Sequence, residues 1–254
     1  MELGARGARD AGPGPVLLFF AVPEEARPFV REWNRAGQDT LARIQGPGLI
    51  AWRSEMLRVH VTGMGARNAE RVGRAVMSGE PDARVCVTSG FAGGLDPTLS
   101  NGDIVLDADP GVDAHLLLPK FGGRPARLYQ ASRVAITVAE KTRLRSETGC
   151  DAVEMESSTL RALARDRGIP GATIRVISDA AGDPLPLDFN ALMTPDDRLD
   201  FGRLAWALVR SPGLIPKLMA FQRIVSNASA RLAAALVAGL GRQPEGWTTN
   251  AHRS

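Results

Sequence analysis

Two hydrophobic patterns alternate along the chain. Short continuous apolar runs predict buried strands, and apolar residues that recur every three or four positions predict helices. The predicted strands are VLLFFAV (16–22), LIAWR (49–53), LRVHVTG (57–63), ARVCVTSG (83–90), DIVLDA (103–108), RVAIT (133–137) and ATIRVISD (172–179). The predicted helices are EEARPFVREW (24–33), GMGARNAERVGRAVMSG (63–79), VAEKTRLRSE (138–147) and MESSTLRALARDRG (155–168).

This alternation predicts a single three-layer α/β/α domain with a mixed, largely parallel central sheet. A ligand of such a sheet binds outside the carboxyl ends of its strands. We place the domain at residues 15–240, with a flexible leader at 1–14, a helical C-terminal segment at 197–240 and a tail at 241–254. The acidic EEARPF follows the apolar run 16–22 without a small-residue cleavage site, so this run is interpreted as a strand rather than a secretory signal.

Composition narrows the class of protein. The 31 basic and 28 acidic residues nearly cancel and are scattered, so nucleic acid is not an expected partner. Cys86 and Cys150 form no CxxC pair and suit a reducing cytoplasm. The histidines at 60, 115 and 252 are far apart and lack nearby acidic or sulfur ligands, so we expect no metal site.

Acidic and glycine-rich clusters follow three of the predicted strands. PEE follows the first, GFAGGL a middle one and DAAGD a late one, and DAVEMESSTL adds Glu154 and Glu156 before a helix. Each cluster also has a purely structural interpretation. The glycines could form a turn, and Asp179 could cap a helix. VEMES could be the start of a helix, with Glu154 capping that helix or forming a salt bridge. The alternative is that buried carboxyl groups meet in one site, where burial would let Asp179 act as a general acid.

Together, AVPEE, SGFAGGL, VEMES and RVISDAA resemble the nucleoside phosphorylase and nucleosidase superfamily, especially its methylthioadenosine/S-adenosylhomocysteine nucleosidase branch. DPLP and the tail LVRSPGLIPKLMAFQRIVSNASARL are similar to the hopanoid-associated phosphorylase-like members of that superfamily. The resemblance implies a small-molecule substrate, a 5′-substituted adenosine such as adenosylhopane, and no metal or organic cofactor. It also implies a homo-oligomer.

The resemblance also implies roles for individual residues. Glu25 would activate a water molecule, Asp179 would protonate or hydrogen-bond the purine N7, and Glu156 would accept hydrogen bonds from both ribose hydroxyls. The other expected substrate-binding residues are Met155, which would pack against the sugar, and Phe91, Ala92, Gly93, Val153 and Ser178, with residues 134–137 in the purine pocket. Backbone N–H groups near Ala92 and Gly93 would face the purine or the nucleophile.

Hydrolysis is preferred over phosphorolysis. Thr88 stands where purine phosphorylases carry a phosphate-binding arginine, although Arg67 or Arg71 could supply the charge for a phosphate co-substrate. Three alternatives stay open: a phosphorolytic enzyme, a methylthioadenosine/S-adenosylhomocysteine nucleosidase, and an inactive nucleoside-binding module.

The segment 197–240 has apolar residues in helical registers, interrupted by Pro212 and Pro216. Such helices could cover the sheet, form a dimer contact or rest on a membrane surface, with packing in the core or in a dimer preferred. We expect a cytoplasmic protein, and the third role would add peripheral contact with the inner membrane face.

Overall fold

A ten-stranded mixed sheet forms the centre of the computed structural model, which describes residues 14–37, 39–46, 48–110, 112–194 and 200–241. The leader at 1–14 and the tail at 241–254 therefore lie almost entirely outside the described residues. The strands are β1 (Val16–Phe20), β2 (Ala42–Ile44), β3 (Ala51–Arg53), β4 (Leu57–Val61), β5 (Val85–Gly94), β6 (Ile104–Ala108), β7 (Arg124–Pro125), β8 (Leu128–Gln130), β9 (Ala152–Glu154) and β10 (Gly171–Asp179).

Seven α-helices in the described residues flank this sheet. They are α1 (Pro23–Arg35), α2 (Ala66–Gly79), α3 (Ala114–Phe121), α4 (Val138–Thr148), α5 (Ser157–Arg165), α6 (Phe201–Arg210) and α7 (Leu214–Leu240). A short 3₁₀ turn spans Asn190–Leu192. The helices predicted from the sequence at 24–33, 63–79, 138–147 and 155–168 are present, with shifted ends.

The order of the main strands is β2-β3-β4-β1-β5-β10-β6-β7. Parallel pairing joins β4 to β1, β1 to β5 and β5 to β10, whereas β6 is antiparallel to β10. The end of β5 also pairs with β9, which in turn pairs with β8. The prediction of a single α/β domain with a mixed, largely parallel sheet is confirmed.

Each face of the sheet has its own apolar core. Helices α1, α3 and α7 cover one face and contribute Phe29, Leu117 and Leu236 to its core. Helices α2 and α5 cover the opposite face, where Met77 and Leu160 pack against the sheet. The strands between them are apolar on both sides because both faces are buried, which explains their continuous apolar runs.

Three local predictions are wrong. Residues 133–137 are not a strand, because Thr137 caps α4: its Oγ1 accepts a hydrogen bond from Glu140 N. The VEMES segment divides between β9 and α5, so the helix begins at Ser157 rather than at Met155. The glycine-rich residues after position 90 continue β5 instead of forming a loop, and Gly93 pairs with β10 on one edge and with β9 on the other.

The C-terminal helix α7 has two different halves. Its second half is buried against the sheet through Ala228, Leu232 and Leu236, and Ser229 Oγ donates a hydrogen bond to Glu24 O in α1 at 3.1 Å. Pro216 lies in the first turn of α7, where its missing N–H disturbs no helical hydrogen bond. Among the described residues, no helix is both long and apolar enough to cross a bilayer.

Candidate active site

A cavity of about 300 Å³ opens at the carboxyl ends of β1, β5 and β10. Its volume is typical of small-molecule sites. All nine residues predicted to bind or act on a substrate line it: Glu25, Phe91, Ala92, Gly93, Val153, Met155, Glu156, Ser178 and Asp179. These residues come from β5, β9, β10, the start of α1 and the turn before α5, so the parallel sheet brings distant parts of the chain together.

Glu25 lies in the first turn of α1, and only 4% of its surface is exposed. Its Oε2 accepts hydrogen bonds from Ala21 N at 3.0 Å and Val22 N at 3.2 Å, and its Oε1 accepts one from Phe91 N at 2.9 Å. Burial raises the pKa of Glu25 above its usual range, although Arg175 and these N–H groups oppose the shift. A carboxylate has about four acceptor sites. The three backbone bonds therefore fix its orientation and leave acceptor capacity for the cavity.

Glu154 has a structural role. Its Oε2 accepts hydrogen bonds from Glu156 N at 2.9 Å and Ser157 N at 2.8 Å, and it pairs with Arg175 Nη2 at 2.5 Å. Both expected functions, helix capping and salt bridging, are therefore present. A carboxylate at a helix N-terminus is also favoured by the helix dipole.

Glu156 is oriented by different partners. Its Oε1 accepts a hydrogen bond from Gly65 N at 2.8 Å, and its Oε2 lies 3.5 Å from Arg175 Nη2. Burial raises its pKa to about 7, a shift that Glu154 increases and Arg175 opposes. This carboxyl group therefore changes its charge within the physiological pH range.

Arg175 lines the cavity and was missed by sequence reasoning. It lies in β10 with 1% of its surface exposed, and its guanidinium joins Glu154 and Glu156 and donates to Ser89 O at 3.2 Å. A buried guanidinium requires such carboxylate partners. An arginine inside the apolar run ATIRVISD was the sequence signal that could have identified it.

Asp179, at the end of β10, has both carboxylate oxygens occupied. Ser178 Oγ donates to Oδ1 at 2.5 Å, and Lys141 Nζ lies 2.5 Å from Oδ2. Lys141 is fully buried, and it also donates to the backbone oxygens of Ala180 and Asp183 at 2.7 and 2.8 Å. Asp179 is therefore half of a buried carboxylate–ammonium pair, which the sequence did not predict.

Gly90 allows the closest packing in the site. Its φ is +143°, and a Cβ placed on it would lie 2.5 Å from Glu25 Oε1 and 2.7 Å from Arg175 Nη1. A residue with a side chain rarely adopts this φ. The glycine therefore lets Glu25 and Arg175 approach the backbone of β5.

Part of the cavity lining is apolar and comes from outside AVPEE, SGFAGGL, VEMES and RVISDAA. Its residues are Met64, Leu185, Phe189, Phe221 and Val225. The Phe189 and Phe221 rings pack with centroids 5.8 Å apart. Phe221 lies within the tail segment quoted for the resemblance, but that segment does not place it at the cavity. The two rings meet because α7 returns across the sheet.

Val134 and Ala135 line the cavity as expected, whereas Thr137 caps α4. Asn190 holds this segment, since its Oδ1 accepts from Val134 N and its Nδ2 donates to Val134 O, both at 2.9 Å.

The side chains considered for phosphate binding lie elsewhere. Arg67 and Arg71 are exposed on α2, outside the cavity lining. Thr88 is buried in β5, and its Oγ1 donates to Thr173 Oγ1 at 3.0 Å. Within the described residues, no group of three or more His, Cys, Asp or Glu side chains is arranged to hold a metal ion.

Comparisons with known proteins agree with this architecture. The sequence model of the Phosphorylase superfamily matches residues 128–210. A search of curated protein sequences finds no match to this chain.

Solved structures show the same fold at low sequence identity. Futalosine hydrolase of Helicobacter pylori has 16% identity and a TM-score of 0.63, with 90% of this chain and 97% of that chain covered. The 5′-methylthioadenosine/S-adenosylhomocysteine nucleosidase of Campylobacter jejuni has 16% identity and a TM-score of 0.63, with 88% and 97% covered. The Colwellia psychrerythraea nucleosidase in complex with adenine has 14% identity and a TM-score of 0.62, with 90% and 95% covered.

Proposed function

We propose that the protein cleaves the N-glycosidic bond of a 5′-substituted adenine nucleoside and releases adenine by hydrolysis. The observation that carries this proposal is that Glu25, Glu156 and Asp179, from three distant parts of the chain, line one cavity. Each is more than 90% buried, and each is oriented by specific donors. A binding module would need polar contacts but would have no use for a buried base opposite a proton donor.

Glu25 is the general base in this proposal. Its burial and raised pKa make the ionised form a better proton acceptor than a solvent-exposed glutamate. Water attacks the sugar C1′ and loses one proton to Glu25 as the bond from C1′ to the purine N9 breaks. The sugar passes through a state with oxocarbenium character, which the surrounding carboxylates stabilise.

The leaving purine gains a proton at N7 from the Asp179–Lys141 pair. Lys141 carries the proton, and Asp179 lies between it and the cavity, 2.5 Å from Nζ. Transfer of a proton through Asp179 leaves adenine neutral and Lys141 uncharged, and solvent restores that proton before the next turnover. Ser178 keeps the carboxylate oriented through Oδ1.

Glu156 binds the sugar. An ionised carboxylate accepts hydrogen bonds only, and the 2′ and 3′ hydroxyls of ribose supply two donors. Gly65 N fixes one oxygen of Glu156, and Met155, at the cavity wall, gives the sugar an apolar contact.

Water is the preferred nucleophile because of the charges around the cavity. Arg175, its buried cation, is already paired with Glu154 and lies close to Glu156. A phosphate dianion would enter beside the four carboxyl groups of the cavity lining, and the repulsion would oppose its binding. Arg67 and Arg71 lie outside the lining, which further favours hydrolysis over phosphorolysis.

The 5′ substituent of the substrate is assigned to the apolar part of the cavity lining. Leu185, Phe189, Phe221 and Val225 would surround an apolar group and exclude water from it. Adenosylhopane, which the resemblance to hopanoid-associated proteins implies, carries such a group. The similar structures are named for hydrolysis of futalosine and of 5′-methylthioadenosine and S-adenosylhomocysteine, which supports the same class of reaction.

The test is to incubate the purified protein with 5′-substituted adenosines, with and without inorganic phosphate, and to measure free adenine and the sugar product. The proposal expects adenine and the free sugar in both conditions. A strict requirement for phosphate with formation of a sugar 1-phosphate would replace it with phosphorolysis. Nucleoside binding without adenine release would identify an inactive binding module.

A further inference from the structure

An exposed apolar surface lies on α6 and the first half of α7. Most of the exposed large apolar side chains in the described part of the chain belong to it: Trp206, Val209, Ile215 and Met219. Val209 is 79% exposed and Trp206 60%. Single exposed apolar residues are ordinary, but a concentration of them marks a contact surface. We call this set the C-terminal apolar surface.

The segment that carries this surface has charges of one sign in its sequence, although Arg203 pairs with Asp200 just before it. Residues 201–240 contain no Asp or Glu, and their five basic residues are Arg203, Arg210, Lys217, Arg223 and Arg231. The Arg210 guanidinium lies 3.9 Å from the centre of the Trp206 ring, so charge and aromatic surface are adjacent. The protein as a whole is nearly neutral, and all of its acidic residues lie outside 201–240.

We propose that the C-terminal apolar surface docks on an anionic lipid bilayer. Exposed Trp and aliphatic side chains enter the interfacial region of a bilayer, and neighbouring Lys and Arg side chains are attracted to anionic headgroups. A second copy of the chain fits less well. A two-fold contact would place the same basic segment on both sides of the interface.

The C-terminal apolar surface lies close to the cavity, because both include residues from the first half of α7. Phe221 and Val225 line the cavity from the same half of α7 that exposes Ile215 and Met219 to solvent. One helical segment therefore has a face toward the cavity and a face toward the proposed bilayer. The docking itself does not depend on the proposed reaction, and it can be tested without substrate.

The test is co-sedimentation of the full chain with phosphatidylcholine vesicles and with vesicles that contain phosphatidylglycerol. We expect binding to the anionic vesicles that weakens at high salt. Trp206→Ser with Val209→Ser should abolish it. Lys217→Gln with Arg223→Gln should lower the partition coefficient about 30-fold, since each basic residue near an anionic surface contributes about a factor of five.

Leu116→Ser is the matched control, because Leu116 is an exposed apolar residue on α3, outside this surface. It should leave vesicle binding unchanged. Absence of binding to the anionic vesicles would overturn the proposal, as would binding that survives the Trp206 and Val209 substitutions. Sedimentation velocity tests the alternative that a second copy of the chain binds this surface. If the protein does not bind vesicles, and if it forms a dimer that dissociates in the Trp206/Val209 variant, the surface would be assigned to a second copy.

Discussion

Glu156 changes its charge near neutral pH, and the proposed contact with the sugar needs its ionised form. Its pKa is raised to about 7, chiefly by burial, and that of Glu25 is raised in the same direction. At pH 6 about a tenth of the Glu156 carboxyl groups would be ionised, and at pH 8 about nine tenths. In the proposed reaction, the protonation of these two residues therefore controls what fraction of the protein can act on substrate.

The first prediction is that kcat/KM for adenine release rises about tenfold between pH 6 and pH 8, because this ratio reports ionisation in the free enzyme. Initial rates at low substrate concentration, in buffers of equal ionic strength, measure it. A ratio that falls over this range would remove Glu156 and Glu25 from their assigned roles as carboxylates.

The second prediction concerns stability. Below pH 4.5 the Glu156 carboxyl is protonated in both the folded and unfolded chains; as pH rises toward 7, the unfolded chain loses this proton first. The contribution of Glu156 to folding stability is therefore lost as pH rises through 7, by up to about 3 kcal/mol. Glu156→Gln should flatten the dependence of urea-unfolding free energy on pH. An unchanged slope in this variant would contradict the assignment.

The third prediction concerns Gly90. Gly90→Ala should lower kcat about 100-fold, because the new Cβ would displace Glu25 and Arg175, and both are held by other contacts. Gly79→Ala is the control, since a Cβ at Gly79 meets no atom within 4 Å. Steady-state kinetics of the two variants measures the effect. Equal activity of both would show that the close approach at Gly90 does not matter.

At the scale of the elements, α7 combines a structural half with an exposed half. The fourth prediction is that Leu236→Ala lowers the unfolding free energy by about 2–5 kcal/mol, because Leu236 is fully buried in the core over the sheet. Met219→Ala, at an exposed position of the same helix, should cost less than about 1 kcal/mol. Urea denaturation of the two variants measures this, and equal losses would contradict the division of the helix.

Strands with apolar runs could be predicted from the sequence, because burial on both faces makes β1 continuously apolar and leaves short apolar runs in β5 and β10. The short strands β7, β8 and β9 could not, since two or three residues carry no periodicity and pair only where the fold brings them together. Residues 133–137 have strand-forming side chains, but the capping of α4 by Thr137 overrides that preference.

At the scale of the whole molecule, the rule that ligands bind at the carboxyl ends of parallel strands placed Glu25 and Asp179 in one cavity from the sequence alone. The cationic partners of the cavity carboxylates could not be predicted in this way. Lys141 lies on α4, distant in sequence from Asp179, and looks like an ordinary residue of a charged helix. The contact between the Phe189 and Phe221 rings depends on the path of α7, which the tail motif does not specify.

The measurement that tests the central claim most directly compares substrate binding with adenine release in Glu25→Gln and Asp179→Asn. We predict that each variant binds a 5′-substituted adenosine by calorimetry, whereas its rate of adenine release falls at least about 100-fold. Glu24→Gln, at the exposed neighbour of Glu25, and Asp166→Asn, at the exposed end of α5, should keep the wild-type rate. Wild-type adenine release by Glu25→Gln or by Asp179→Asn would contradict the account.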